Sequence, residues 1–225
     1  MKRHILFAFT IVLAFSFSVN AQVPLNTLVQ ITKAEDARRF DSVLEGLLKS
    51  TNLAVRERAA LAAGRIGDKR AVAALAALFQ DTKNQGGVWT AAVFALGEIE
   101  SSDGGEAVLN ILKAESGYAK RDKDLLSRAV EAAGKIVAAN AKDSSLNDLK
   151  SAIVRVMDDE LKSGAPISQV VVHGLTAILR TRPDGGDVVV AKFLDSTDAR
   201  VRADSLNTLT RLRSKQRLDV IRVLL

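Results

Sequence analysis

The sequence predicts an all-α protein, an α-solenoid (superhelix) of antiparallel helix pairs stacked side by side, and three observations predict it. A skeleton of apolar, small and apolar residues recurs five times, at spacings of 33, 37, 42 and 34 residues. Within each copy the intervals of four, four and three residues put the marked side chains on one helical stripe. Glycine-bearing turns then separate each stripe from a second apolar-periodic segment, the punctuation expected of a repeat array. With 48% hydrophobic residues in 225, the chain has ample material for a core and the wrong composition for disorder.

The elements follow in order. Residues 1–21 read as a signal peptide. Lys2 and Arg3 form a charged start, Ile5 to Phe17 is apolar apart from Thr10 and Ser16, and Val19-Asn20-Ala21 supplies small residues before Gln22, so cleavage is expected between Ala21 and Gln22. The apolar run is shorter than the about 20 residues needed to span a bilayer, and no later segment comes closer. The mature chain is therefore expected outside the cytoplasm, periplasmic or secreted, with no membrane span. Cysteine is absent, so neither disulfides nor thiolate chemistry is available. Loss of Lys2 and Arg3 takes the formal charge from +6 to +4, too small an excess to indicate nucleic acid.

Residues 22–225 are expected to hold about five to six helix pairs. The opening pair places Leu25, Leu28 and Ile31 on one helix and Phe40, Leu44, Leu47 and Leu48 on the next. The clearest repeat is marked by Val55, Ala59, Ala63, Gly64 and Ile66; Val88, Ala92, Leu96, Gly97 and Ile99 reproduce it, and Leu125, Ala129, Ala133, Gly134 and Ile136 make a third. Ile167, Val171, Leu175 and Ile178 form a weaker fourth copy, and Val201, Ser205, Leu209 and Leu212 a fifth. Glycine inside a helix costs about 1 kcal/mol relative to alanine, so three in one phase imply close packing. Turns at Gly67-Asp68, Ser101 to Gly105 and Pro183 to Gly186 precede second helices over about Arg70–Gln80, Glu106–Lys113 and Asp187–Leu194, with a further one at Leu146–Leu161. Asp198 is placed to cap the helix of the fifth copy.

The stretch AVRERAALAAGRIGDKRAVAALAALFQD, Ala54 to Asp81, resembles the HEAT repeat in the short bacterial form also seen in phycobilin lyases. VWTAAVFALGEIE and ARVRADSLNTLTRL extend the similarity, which covers most of residues 35–213. The resemblance implies a scaffold whose second helices line a concave face that holds a protein partner. The pattern is also similar to the N-terminal part of exported bacterial proteins that carry HEAT repeats before a cyclophilin-type peptidyl-prolyl isomerase domain. Leu218, Ile221, Leu224 and Leu225 would face a missing neighbour, so either truncation or another protein is expected at that end.

Catalysis has little to draw on. Once His4 leaves with the signal, His173 is the single histidine, and it reads as a helix-face or core residue among Val170, Val171, Val172 and Leu175. Consecutive Asp158, Asp159 and Glu160 point in different directions and read as a solvated helix end rather than a cation site. Asp103-Gly104-Gly105 and Asp184-Gly185-Gly186 read as turns. Neither metal nor cofactor is expected. Arg200, Arg202, Arg211, Arg213, Lys215, Arg217 and Arg222 make the last repeat basic, opposed by Asp198, Asp204 and Asp219. Partner contacts are assigned by phase to Arg70, Asn110, Lys113, Arg155 and Lys192 on the second-helix face. Trp89 shares the phase of Arg56 and Arg202, where a charged side chain implies solvent, so it is either an interface anchor or a residue packed on a neighbouring helix.

Overall fold

The computed structural model describes residues 22–115 and 121–216, together with Arg222. The expected signal peptide with Ala21, the basic Arg217 with Asp219, and the apolar Leu218, Ile221, Leu224 and Leu225 lie outside the described residues. Eleven α-helices and no strand are found among those described. They are α1 (Leu25–Asp36), α2 (Ser42–Leu48), α3 (Leu53–Ile66), α4 (Val72–Ala77), α5 (Gly87–Ile99), α6 (Gly105–Glu115), α7 (Lys123–Ala139), α8 (Asn147–Lys162), α9 (Ser168–Thr181), α10 (Gly186–Lys192) and α11 (Ala199–Leu212). Odd-numbered helices stack on one another in one layer, and even-numbered helices cover them in a second.

Local chemistry sets the boundaries. Asp41, Asn52, Asp122 and Asp198 each accept hydrogen bonds from the first free backbone amides of α2, α3, α7 and α11, so the expected Asp198 cap is present. The second helix expected over Arg70–Gln80 is α-helical only from Val72 to Ala77, because both ends tighten into 3₁₀ turns, Lys69–Ala71 and Leu78–Gln80. Phe40 corrects the reading of the opening pair: it lies just before the Asp41 cap rather than on α2, and is buried there. Leu25, expected to face the core, is 74% exposed.

The repeat stripe is the core. Ala59, Ala63, Ala92, Ala95, Ala129 and Ala133 are all fully buried, with Leu96, Leu125, Ile136, Leu175 and Ile178 beside them. Each large aliphatic side chain removed from water contributes roughly 1.5–3 kcal/mol.

What distinguishes the two layers is how closely their helices approach. A methyl group added at Gly64 would lie 2.7 Å from the Cα of Ala95, at Gly97 2.8 Å from that of Ala132, and at Gly134 2.9 Å from that of Ala177. Thus α3, α5, α7 and α9 meet backbone to backbone, and only glycine fits at the notch. Even helices meet through longer side chains and leave grooves between them, about 500 Å³ between α6 and α8 and about 730 Å³ between α8 and α10. The two layers thus differ in how closely their helices approach, the odd one being the tighter at these notches.

Candidate functional site

Read outward from the buried stripe, α3, α5 and α7 each carry a column of side chains beside a groove of the odd layer. Counting from the first marked residue of a repeat, the positions two, six and ten further on are Glu57, Leu61 and Arg65 on α3, Thr90, Phe94 and Glu98 on α5, and Ser127, Glu131 and Lys135 on α7. Residues four apart lie above one another on a helix, so these columns run side by side. Between α3, α5 and α7 they enclose an open groove of about 380 Å³ with Leu61, Ala91 and Phe94 as its apolar floor and Glu57, Asp124, Arg65 and Arg128 around it.

Charge is distributed unevenly along this face. On α1 and α3, Arg58 and Arg65 both donate to the Glu35 carboxylate, Arg65 at 3.0 Å. Arg58, opposed by burial, holds the Glu35 carboxyl below its usual range. On α5 and α7, Lys135 bridges Glu98 at 2.6 Å and Glu131 at 2.9 Å, while Arg128 donates to Glu131 at 2.7 Å. Burial pushes the Glu131 carboxyl up, but Lys135 and Arg128 outweigh it and the net shift is downward. The two ion-paired clusters are separated by the groove, over which no ion pair crosses among the described residues. Phe94 sits at its far wall with the guanidinium of Arg128 5.7 Å and the ammonium of Lys135 5.8 Å from its ring centre, an arrangement attractive to both cations. Glu57 leans over Gly87 at the start of α5, where the absence of a Cβ makes room for its carboxylate. That helix has no side-chain cap, and a carboxylate near its free amides is favoured by the helix dipole.

The residues assigned from phase fall elsewhere. Asn110 and Lys113 come together in the groove between α6 and α8. Arg155 lines the groove between α8 and α10, and Lys192 reaches Asp158 of that groove at 3.5 Å. Arg70 is apart from both, held by the carboxylate of Asp68 two residues away. Trp89 lies in neither groove: it is half-buried, donates from its indole nitrogen to the Leu78 carbonyl at 3.0 Å and meets Phe79 edge-on. Its sister Arg56 donates to the Ser50 carbonyl and to Asp81 and Asn84, and Arg202 donates to the carbonyls of Ser196 and Thr197. Arg202 is exposed as its charge suggests, whereas Arg56 and Trp89 are partly buried. The position staples α3, α5 and α11 to the loop before each, and either an arginine or an indole N–H can serve, since it meets acceptors there.

Two further residues differ from expectation. Glu160, read as part of a solvated helix end, is completely buried; it pairs with Arg121 and accepts from the Ile167 amide at 2.6 Å, tying together the loops before α7 and α9. Burial pushes its carboxyl up, against the pull of that amide and of Arg121. His173 shares Nδ1 between the hydroxyl of Ser127 at 3.0 Å and its carbonyl at 3.1 Å, with Glu131 4.0 Å from the same nitrogen. A relay needs base and orienting acid on opposite ring nitrogens and a reachable hydroxyl. Here both partners crowd one nitrogen and Ser127 is fully buried, so the cluster locks α9 onto α7. The glycine turns are turns: Ser101 caps a 3₁₀ segment over Ser102–Gly104, and Gly185 takes the left-handed conformation before α10.

Fold and groove define a helical-repeat array of the protein-interaction scaffold class. The family model of HEAT repeats matches residues 40–134, a stretch that closes on the last of the three notch glycines, and this region is accordingly built of HEAT repeats. No curated protein matches the chain. No helix among the described residues is long and apolar enough to cross a membrane.

Proposed function

We propose that the chain is an exported scaffold that holds an extended segment of a partner protein on its odd-helix face, seated in the groove between α3, α5 and α7. The observation that carries this reading is the gap in the charge pairing: ion pairs satisfy this face on both sides of the groove, and the interval between them is floored by Leu61, Ala91 and Phe94. A half-exposed aromatic flanked by satisfied ion pairs is the usual anatomy of a binding hot spot. Export is supported by the charged start, apolar run and small residues before Gln22. The isomerase-linked alternative rests on the resemblance alone, and reading the gene beyond Leu225 tests it.

The experiment is affinity capture from an envelope extract with the full chain and two variants. A specific partner is expected with the native protein, reduced about tenfold or more by Phe94→Glu and unchanged by Arg70→Glu. Equal recovery by Phe94→Glu and the native chain would remove the groove from the account. Recovery of no specific partner by any of the three would count against the scaffold itself. Sequencing the N-terminus of exported protein tests the cleavage, which is expected to leave Gln22 first.

A further inference from the structure

The even-helix layer carries a second groove whose chemistry differs from that of the groove in the odd layer. Helix α8 spans 16 residues and α10 only 7, about 24 Å against about 10 Å at 1.5 Å per residue. Much of one flank of α8 thus lies beside no helix. Asn147, Lys150, Ser151, Val154, Arg155 and Asp158 follow one another at intervals of three and one, the spacing of a single helix face. Together with Pro183 and Val188 they bound the trough of about 730 Å³.

Its floor is aliphatic, and its rim carries Lys150 and Arg155 on α8 with the carboxylates of Asp158 and Asp184. Val154 is half-buried, Pro183 is buried, and Val188 is 44% exposed, one of a handful of large aliphatic side chains left so open. Asp158 is already engaged by Lys162 and by Lys192, and these cations hold its carboxyl below the usual range. Among the described residues Lys150 and Arg155 pair with no carboxylate, and Arg155 makes a 3.4 Å contact with the Asp148 carbonyl; with Asp158 already neutralised, these two cations outnumber Asp184 on the rim. Such an excess beside exposed aliphatic surface is complementary to a carboxylate with an aliphatic neighbour.

We propose that the trough between α8 and α10 is a second docking site, on the face opposite the first, for an extended protein segment that alternates acidic and aliphatic side chains. Its carboxylates meet Lys150 and Arg155, and its aliphatic groups cover Val154, Pro183 and Val188. Extended chain suits it because alternate residues point to opposite sides, one set toward the floor and the next toward the rim.

Fluorescence anisotropy with the full chain tests this, using a fluorescein-labelled octapeptide that alternates glutamate with leucine and valine, and a twin with lysine in place of each glutamate. Saturable binding of the glutamate peptide is expected, weakened about tenfold or more in the double variant Lys150→Glu, Arg155→Glu and again in Val188→Asp, with Phe94→Glu binding as the native chain does. Because Phe94 belongs to the other groove, that last result separates failure of this site from failure of the odd-layer one. Equal binding of the lysine twin, undiminished binding by the double variant, or no saturation by the glutamate peptide would each overturn the proposal. So would sedimentation with phosphatidylglycerol vesicles that depends on Lys150 and Arg155 while the peptide fails to bind, since the occupant would then be a lipid surface. All three substituted side chains are exposed or half-buried, and Val188→Asp alone suffices should the double variant fail to fold.

Discussion

The two layers bury the same kind of stripe and behave differently. Odd helices meet through alanine and glycine, with backbones nearly touching at Gly64, Gly97 and Gly134; even helices bury larger aliphatic side chains and leave grooves between them. The periodicity of apolar residues thus says that a helix packs, and the size of those residues says how closely. In the odd layer the protein relies on shape. Between helices it relies on loops tied by caps, staples and one buried ion pair.

The largest effect should come from that ion pair. Glu160→Ala leaves Arg121 facing a buried void and is expected to lower unfolding stability by about 3–5 kcal/mol in urea titration. Little or no loss would mean that the loops before α7 and α9 are held by packing instead. Next comes the notch. Gly97→Ala forces a methyl against the Ala132 backbone and is expected to cost about 2–3 kcal/mol, whereas Gly46→Ala on α2, where nothing lies within 4 Å, is expected to stabilise by about 0.5–1 kcal/mol. The opposite signs of one chemical change are the sharpest test of the difference between layers. If both variants melt alike, the close approach of the odd helices is not a constraint.

Smaller effects refine the picture within the odd layer. Ser205 occupies the stripe position that Ala59, Ala92 and Ala129 hold in other repeats, fully buried and with no hydrogen-bond partner for its hydroxyl. Ser205→Ala is expected to raise stability by about 1 kcal/mol, seen as a higher midpoint at constant slope. Glu35→Gln is expected to cost about 1 kcal/mol at neutral pH. The folded state binds a proton on Glu35 less tightly than the unfolded chain does. Its contribution is therefore complete above the ordinary value of 4.5 and fades as pH falls below it. The gap between native and variant melting curves should close on acidification, and a gap that widens would contradict the assigned pairing with Arg58 and Arg65.

Much of the architecture was legible because the repeat makes one local rule visible several times. Val55, Ala59, Ala63 and Gly64 and their sisters are where the periodicity puts them, and Asp198 caps as its position suggests. The contacts assigned by phase fall in the grooves of the even layer or, as Arg70, outside them. The odd-layer groove residues were present in the same alignment, two, six and ten positions after each marked residue, as Leu61 and Phe94 show; nothing in one helix alone says that these columns bound a groove. Glu160 and Trp89 were obscured for another reason. Their partners, Arg121 and the Leu78 carbonyl, lie 39 and 11 residues away, and helical phase carries no information about loops.

The notch series also ends. Where α3, α5 and α7 have glycine, α9 and α11 have exposed Thr176 and Thr210, each bonded to its own helix through the carbonyls of Val172 and Leu206 at 3.1 and 2.9 Å. Helix α11 accordingly packs less closely on α9 than α9 does on α7. Helix α1 packs on α3 no more closely than α11 packs on α9, so under a pulling force the array is expected to hold from α3 to α9 and to yield first at α1 or α11 in a force-extension trace.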